Sequence, residues 1–212
     1  MSENSIVTQE SAFSSIERFE GAQRMAQLLC ASALVPEGFR GKENIPNCLI
    51  ALEMAQRIGA SPMAVMQNLH VIHGRPSWSS TFIISALNSC GRFSPLRFEM
   101  SGEGDKRTCT AWATDRTGER LEGPEISIDM AKAEGWYGKN GSKWKSMPEL
   151  MLRYRAAAFF GRLYAPDVLN GMHAAEEVVD IVEQAPPKTS MVKQLIEAPK
   201  EAVKVEEPNE FE

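Results

Sequence analysis

Lys139, Lys143, Trp144 and Lys145 run into a segment that carries Arg153, Arg155, Phe159 and Arg162. Cations neutralise phosphates and aromatic rings offer stacking surfaces, the two ingredients of a groove for single-stranded nucleic acid. Arg155 and Arg162 are seven positions apart, on one face of a helix, and no acid stands at i±3 or i±4 of either. At 1.5 Å per residue they lie about 10 Å apart, so each can meet a phosphate of a strand lying along the helix. The bland alternative is that long cations decorate a solvated face and Trp144 fills the core. Arg75 beside a turn, with Arg92 and Arg97 around the next strand, would extend the cationic track. Trp78 and Tyr137 are candidate stacking rings, with core packing the commoner role for a residue such as Trp78.

Other chemistries lack their residues. Gly38-Phe39-Arg40-Gly41-Lys42-Glu43 has the wrong spacing for a phosphate-binding loop and a Glu where the hydroxyl belongs. His70 and His73 are three apart on a strand and so face opposite sides, which does not suit a shared metal. No nucleophile elbow of the G-x-S-x-G kind occurs. Asp105, Asp115, Glu119 and Glu122 imitate a nuclease carboxylate set, but they fall at turns, where solvated acids are the ordinary case. No catalytic motif is found, and no enzyme is expected.

Helices and strands must position the basic segment. Ala22, Met25, Ala26, Leu29 and Ala33 make one apolar stripe over 16–33, stopped by Pro36-Glu37-Gly38. Ala51, Met54, Ala55 and Ile58 make a second helix, with Asn47 as its cap and Gly59 as its end. Ser61-Pro62 opens a short third helix. Leu69–Ile72 and Pro76–Trp78 flank His73-Gly74-Arg75 as a hairpin, and a helix follows from Ser80 to Gly91. Strands are expected at 96–100, 108–114 and 121–128, and a mobile loop at 136–143. Ser146 with Glu149 reads as a capping box, with Pro148 in the first turn, for a helix ending near Tyr164. Its expected apolar face is Leu150, Tyr154, Ala157, Gly161 and Tyr164. The fold class is therefore α+β: a small antiparallel β-sheet with a hairpin packed against several helices, flanked by disordered acidic termini. Its parts are a head over 1–15, a core over 16–183 and a tail over 184–212.

The 212 residues are 43% hydrophobic and 24% charged, enough for a packed core, and no apolar run reaches membrane-spanning length. The net charge is -5, with the acidity in the ends. Residues 1–20 carry -3, residues 171–212 carry -6, and the body between them +4, while 132–162 alone carries +5. Cys30, Cys48, Cys90 and Cys109 form no C-x-x-C pair and suit reduced, mostly buried thiols, so a cytoplasmic location is expected. The last residues, Val205-Glu-Glu-Pro-Asn-Glu-Phe-Glu212, are acidic with a near-terminal aromatic, a composition able to shield a basic groove or to dock on a partner.

The run Trp144-Lys145-Ser146-Met147-Pro148-Glu149-Leu150-Met151-Leu152-Arg153-Tyr154-Arg155-Ala156, with Arg162 beyond it, resembles the late signature of the phage RecT/Redβ single-strand annealing proteins. Cys48–Ile58 followed by Gly59-Ala60-Ser61-Pro62 is similar to an upstream helix and Gly-x-x-Pro element of that family, and Leu69–Phe93 to the hairpin, helix and strand after it. The resemblance spans about 25–175. It implies ATP-independent binding of single-stranded DNA, assembly into rings or helical filaments, and annealing of complementary strands in phage homologous recombination. It also implies a phage exonuclease and the host single-strand binding protein as partners, and a bacterial cell as the setting. By position, Arg153, Arg155 and Arg162 match the family's basic helix residues. Glu149 departs from the pattern where some members carry a base, and the weakly cationic body implies modest affinity per protomer, with oligomerisation supplying avidity. No cofactor is expected, and any magnesium dependence would act without a site-bound ion. Two other readings stand beside this one: a phage interaction or assembly protein without DNA affinity, and a metal-dependent nuclease.

Overall fold

The computed structural model describes residues 11–182, and within them an α+β fold. Helix α1 (Ile16–Cys30) is capped by the Ser15 side chain and buries Ala22, Ala26 and Cys30 against α2 (Ile45–Ile58). The helix α2 begins earlier than Asn47. Its cap position is Asn44, which makes no side-chain cap bond, and the Asn47 amide instead donates to the Gly38 carbonyl. Residues 11–15, expected within a disordered head, are docked: Ser11 Oγ and the Ala12 N–H donate to Glu53, at 2.9 and 2.8 Å. The rest of that head and the whole acidic tail lie outside the described residues.

Ser61 caps α3 (Pro62–Asn68), as its position before Pro62 predicts. Next come β1 (Leu69–Ile72) and β2 (Arg75–Trp78), joined through His73 and Gly74, whose φ values are 49° and 76°. Two consecutive left-handed residues give the tight primed turn that matches strand twist. Trp78, at the base of β2, is fully buried, stacks on Phe82 and donates its indole N–H to the Leu169 carbonyl. It is a core residue and has no face for a nucleobase. Ser79 caps α4 (Ser80–Ser89).

The larger sheet has β4 (Thr108–Thr114) in the middle, with β3 (Arg97–Ser101) on one side. On the other side lie β5 (Arg120–Glu122) and β6 (Ile126–Ser127), where the sequence predicts one unbroken strand. Trp112 pairs with Glu122 but Cys109 with Ile126, so the register slips by one residue across Gly123-Pro124. Proline has no N–H to give the ladder, and a bulge absorbs it. Gly123 also lets another element come close: a Cβ there would lie 3.3 Å from the Cβ of Phe160.

Ser127 caps α5 (Ile128–Ala133), which the strand reading of 121–128 missed. The expected loop then contains a turn of helix, α6 (Lys143–Ser146), which buries Trp144. Helix α7 (Pro148–Tyr164) starts after Met147, with no side-chain cap, so the Ser146–Glu149 capping box does not form because Ser146 ends α6. Helix α7 is the spine of the fold. It packs on α4 and on β4, whose inward residues Cys109, Ala111 and Ala113 are small. Its buried face is Met151, Leu152, Ala156, Ala157, Ala158, Phe160 and Gly161 together with Arg155, whereas Leu150 is exposed. The chain then turns through 165–174 into α8 (Ala175–Val182), a helix absent from the sequence reading, which packs on β1 and β2. Among the described residues no helix is long and apolar enough to cross a membrane.

Candidate functional site

Helix α7 carries Arg155 and Arg162 on one face, as their seven-residue spacing requires, but the two are not unpaired. The acids come from α8. Glu177 Oε1 lies 2.8 Å from Arg162 Nη1 and 3.6 Å from Arg155 Nη1, and Asp180 Oδ2 accepts from Arg155 Nη2. Glu177 and Asp180, three apart, share the face of α8 turned to α7. Arg155 is 4% exposed, which removes it from solvent and corrects the expectation of an open phosphate contact. The Arg162 side chain is 30% exposed and touches His173 Nδ1 at 2.9 Å.

Trp136 and Trp144 complete the Arg155 pocket. The guanidinium carbon lies 3.8 Å from the Trp136 ring centroid and 5.8 Å from that of Trp144, and the two indoles pack on each other. Stacking of a guanidinium on aromatic faces is a favourable contact in a desolvated site. Burial pulls Arg155 below its ordinary pKa, opposed by the charges of Glu177 and Asp180. Burial likewise pushes the Asp180 carboxyl up, opposed by Arg155 and Lys139.

Lys139 joins the same cluster. Its ammonium donates to the carbonyls of Val179 and Asp180, at 3.0 and 2.6 Å, and stands 3.9 Å from Asp180 Oδ1. A lysine expected on a mobile loop therefore caps the end of α8, where cations are favoured. Lys143 and Lys145 are exposed on α6, and a recess of about 210 Å³ runs between Lys143, Lys139 and the Asp180 side of α8.

The remaining candidates do not converge there. Arg153 and Arg107 both approach Glu149, at 3.8 and 3.7 Å. Arg92 forms a two-pronged pair with Asp167. Arg97 pairs in register with Trp112 on the outer face of the larger sheet, so the sheet separates it from α7. Arg75 is exposed beside the hairpin turn. Tyr137 is half-buried, with the Lys132 ammonium 5.5 Å from its ring centre.

Three of the four turn carboxylates are occupied locally. Asp115 accepts from the backbone N–H groups of Thr117 and Glu119, Asp105 pairs with Lys132, and Glu122 with Arg120. Among the described residues no three His, Cys, Asp or Glu side chains group as metal ligands. The cysteines are free thiols, and burial pushes Cys109 up to about 11, which leaves little thiolate at neutral pH.

Sequence reasoning thus found Lys139, Arg155 and Arg162 but missed Trp136, His173, Glu177 and Asp180, which hold them. The available signal was the pair Glu177 and Asp180 flanking Val178, an amphipathic turn read instead as the start of an acidic end. No family model matches the chain, and neither a curated protein nor a solved structure matches it.

Proposed function

We propose that this protein binds single-stranded DNA and anneals complementary strands without ATP, as an oligomer, in the manner of the RecT/Redβ group its basic segment resembles. The observation that carries the reading is the convergence of Lys139, Arg155 and Arg162 on one side of α7, with Lys143 and Lys145 exposed alongside. Cations from adjoining protomers would neutralise phosphates and hold a strand extended with its base edges free. A matched second strand then gains stacking of about 1.4 kcal/mol per base-pair step, so a short correct run outweighs the cost of ordering it. Duplex formation is downhill, and the protein supplies proximity and charge neutralisation. Under this reading the protein works in a bacterial cytoplasm beside an exonuclease and a host single-strand binding protein, with no resident cofactor.

A second reading, an interaction protein without DNA affinity, is favoured by exposed apolar side chains away from the cluster. Leu28 and Leu34 are 76% and 79% exposed, and Val71 is 69% exposed. Such surfaces also suit an oligomer.

The test is annealing of two labelled complementary oligonucleotides without ATP, comparing wild type with Lys143→Ala/Lys145→Ala/Arg162→Ala. These side chains are at least partly exposed, and because Arg162 also meets the buried Glu177, the urea midpoint of the variant is measured alongside to show that it folds. The reading predicts acceleration by wild type, its loss in the variant, and binding that weakens with salt by a slope of about 0.7 per phosphate contacted. Absence of both binding and acceleration would leave the interaction protein as the better account.

A further inference from the structure

Two carboxylates hold three cations at the α7–α8 contact, and they do so incompletely. Arg155 Nη1 and Glu177 Oε2 are buried without a hydrogen-bond partner. A buried ion pair returns its desolvation cost only when the remaining donors and lone pairs are satisfied. The contact is therefore poorly optimised on the α8 side. On the other side Trp136 and Trp144, which stack on Arg155, belong to the segment before α7.

Helix α8 is short, and the attachments of its described side chains are mostly polar. Glu176 accepts from Ser80 Oγ at 2.7 Å, Glu177 and Asp180 meet the cations, and Lys139 caps its last turn. Among its described side chains Val178 is the one large apolar group that is buried, while Val179 is 41% exposed. A contact made by charge opens at lower cost than one made by apolar area and is opened further by a competing anion.

We propose that α8 is a displaceable carboxylate cover: Glu177 and Asp180 occupy the places on Arg155, Arg162 and Lys139 that phosphates of a bound strand take when the helix lifts from α7. This rests on the DNA-binding reading above and adds its regulation. Docked, α8 covers these cations; lifted, it uncovers them, with Arg155 still stacked on the two indoles. Apparent affinity is then reduced by the fraction of molecules in which α8 is closed. The sequence suggests shielding by the far acidic end, whereas this cover lies inside the core and uses Glu177 and Asp180.

The experiment is hydrogen exchange on the full chain, with and without a thirty-nucleotide oligo(dT), with binding followed separately by fluorescence anisotropy. The expected result is loss of protection over 175–182 on binding, while α7 keeps its protection. A second arm uses Glu177→Gln/Asp180→Asn, which is expected to bind the same oligonucleotide about tenfold more tightly, as a tenfold larger open fraction requires. Binding with α8 equally or better protected, together with unchanged affinity of the variant, overturns the cover and leaves the DNA-binding reading standing. No binding by either protein at low salt overturns both.

Discussion

Helix α7 is held by two unlike surfaces. Toward α4 and β4 it presents Ala156, Ala157, Phe160 and Gly161, fully buried among apolar neighbours, with Gly123 of the bulge pressed against Phe160. Toward α8 it presents Arg155 and Arg162, met by carboxylates. The apolar contact has no competitor in solution, because opening it exposes surface that nothing dissolved in water replaces. The charged contact has many, since any anion offers Arg155 what Asp180 does. One side of the same helix therefore fixes the fold, and the other is where the fold can respond.

The largest effect is expected on the apolar side. Phe160 is fully buried, edge-on to Phe93 at 5.5 Å and tilted against Tyr164 at 4.8 Å. Phe160→Ala should cost about 3–5 kcal/mol, read as a lower urea midpoint, and no second substitution at a neighbour should restore it. A small cost would mean that α7 does not carry the sheet and would break the contrast at its apolar end.

The charged side behaves differently under the same treatment. Arg155→Met leaves Asp180 buried, with Lys139 3.9 Å away, and should cost about 3 kcal/mol, near the low end for an orphaned buried charge. Arg155→Met/Asp180→Leu removes both charges, leaves Glu177 with Arg162, and should return to within about 1 kcal/mol of wild type. A double-mutant cycle checks this. Additive losses would show that the pair is a structural staple like Phe160, and the distinction between the two faces would disappear.

Why the local elements were readable in the sequence and the charged contact was not follows from where each signal resides. The hairpin at His73-Gly74, the Ser61 cap and the strand over 108–114 are specified by neighbours in the chain, and local pattern is enough for them. The bulge at Gly123-Pro124 needs knowledge that β4 runs alongside, which turned one expected strand into two. Arg155 has no acid within its own helix turn, so it reads as unpaired; its partners are 22 and 25 residues on, in a helix whose acids read as a solvated end. The surplus of cations in 132–162 was legible as composition. That three of them converge on α8 is a fact of tertiary packing.

Acid titration separates the two kinds of carboxylate in the molecule. Burial holds Asp180 above the ordinary 3.8, so the folded chain binds its proton more tightly than the unfolded chain does. Relative to Asp180→Asn, wild type should therefore gain stability as the pH falls through that raised value, with the gain complete below the unfolded value. The hydrogen bonds from Arg92 hold Asp167 below 3.8. Relative to Asp167→Asn, wild type should keep its full advantage above the unfolded value and lose it as the pH falls through the depressed one. Urea midpoints of the three proteins from pH 7 to pH 3 give both slopes, and slopes of the same sign would contradict the assignment of a desolvated Asp180.

The smallest effect belongs to the ion pair that resembles the α7–α8 contact in geometry and differs from it in surroundings. Arg92 and Asp167 join two guanidinium nitrogens to two carboxylate oxygens, an arrangement more regular than that of Arg155, yet their side chains are 45% and 59% exposed. Water already solvates both groups, and dissolved salt screens what attraction remains. Arg92→Ala should lower stability by at most about 1 kcal/mol at low salt, by less at 1 M sodium chloride, and should leave oligo(dT) binding unchanged, because Asp167 and not a phosphate occupies its fork. A larger, salt-insensitive loss would mean that bidentate geometry outweighs burial in setting the strength of these pairs. Binding lost with stability intact would return Arg92 to the DNA interface and move the groove across the 165–171 turn, away from α8.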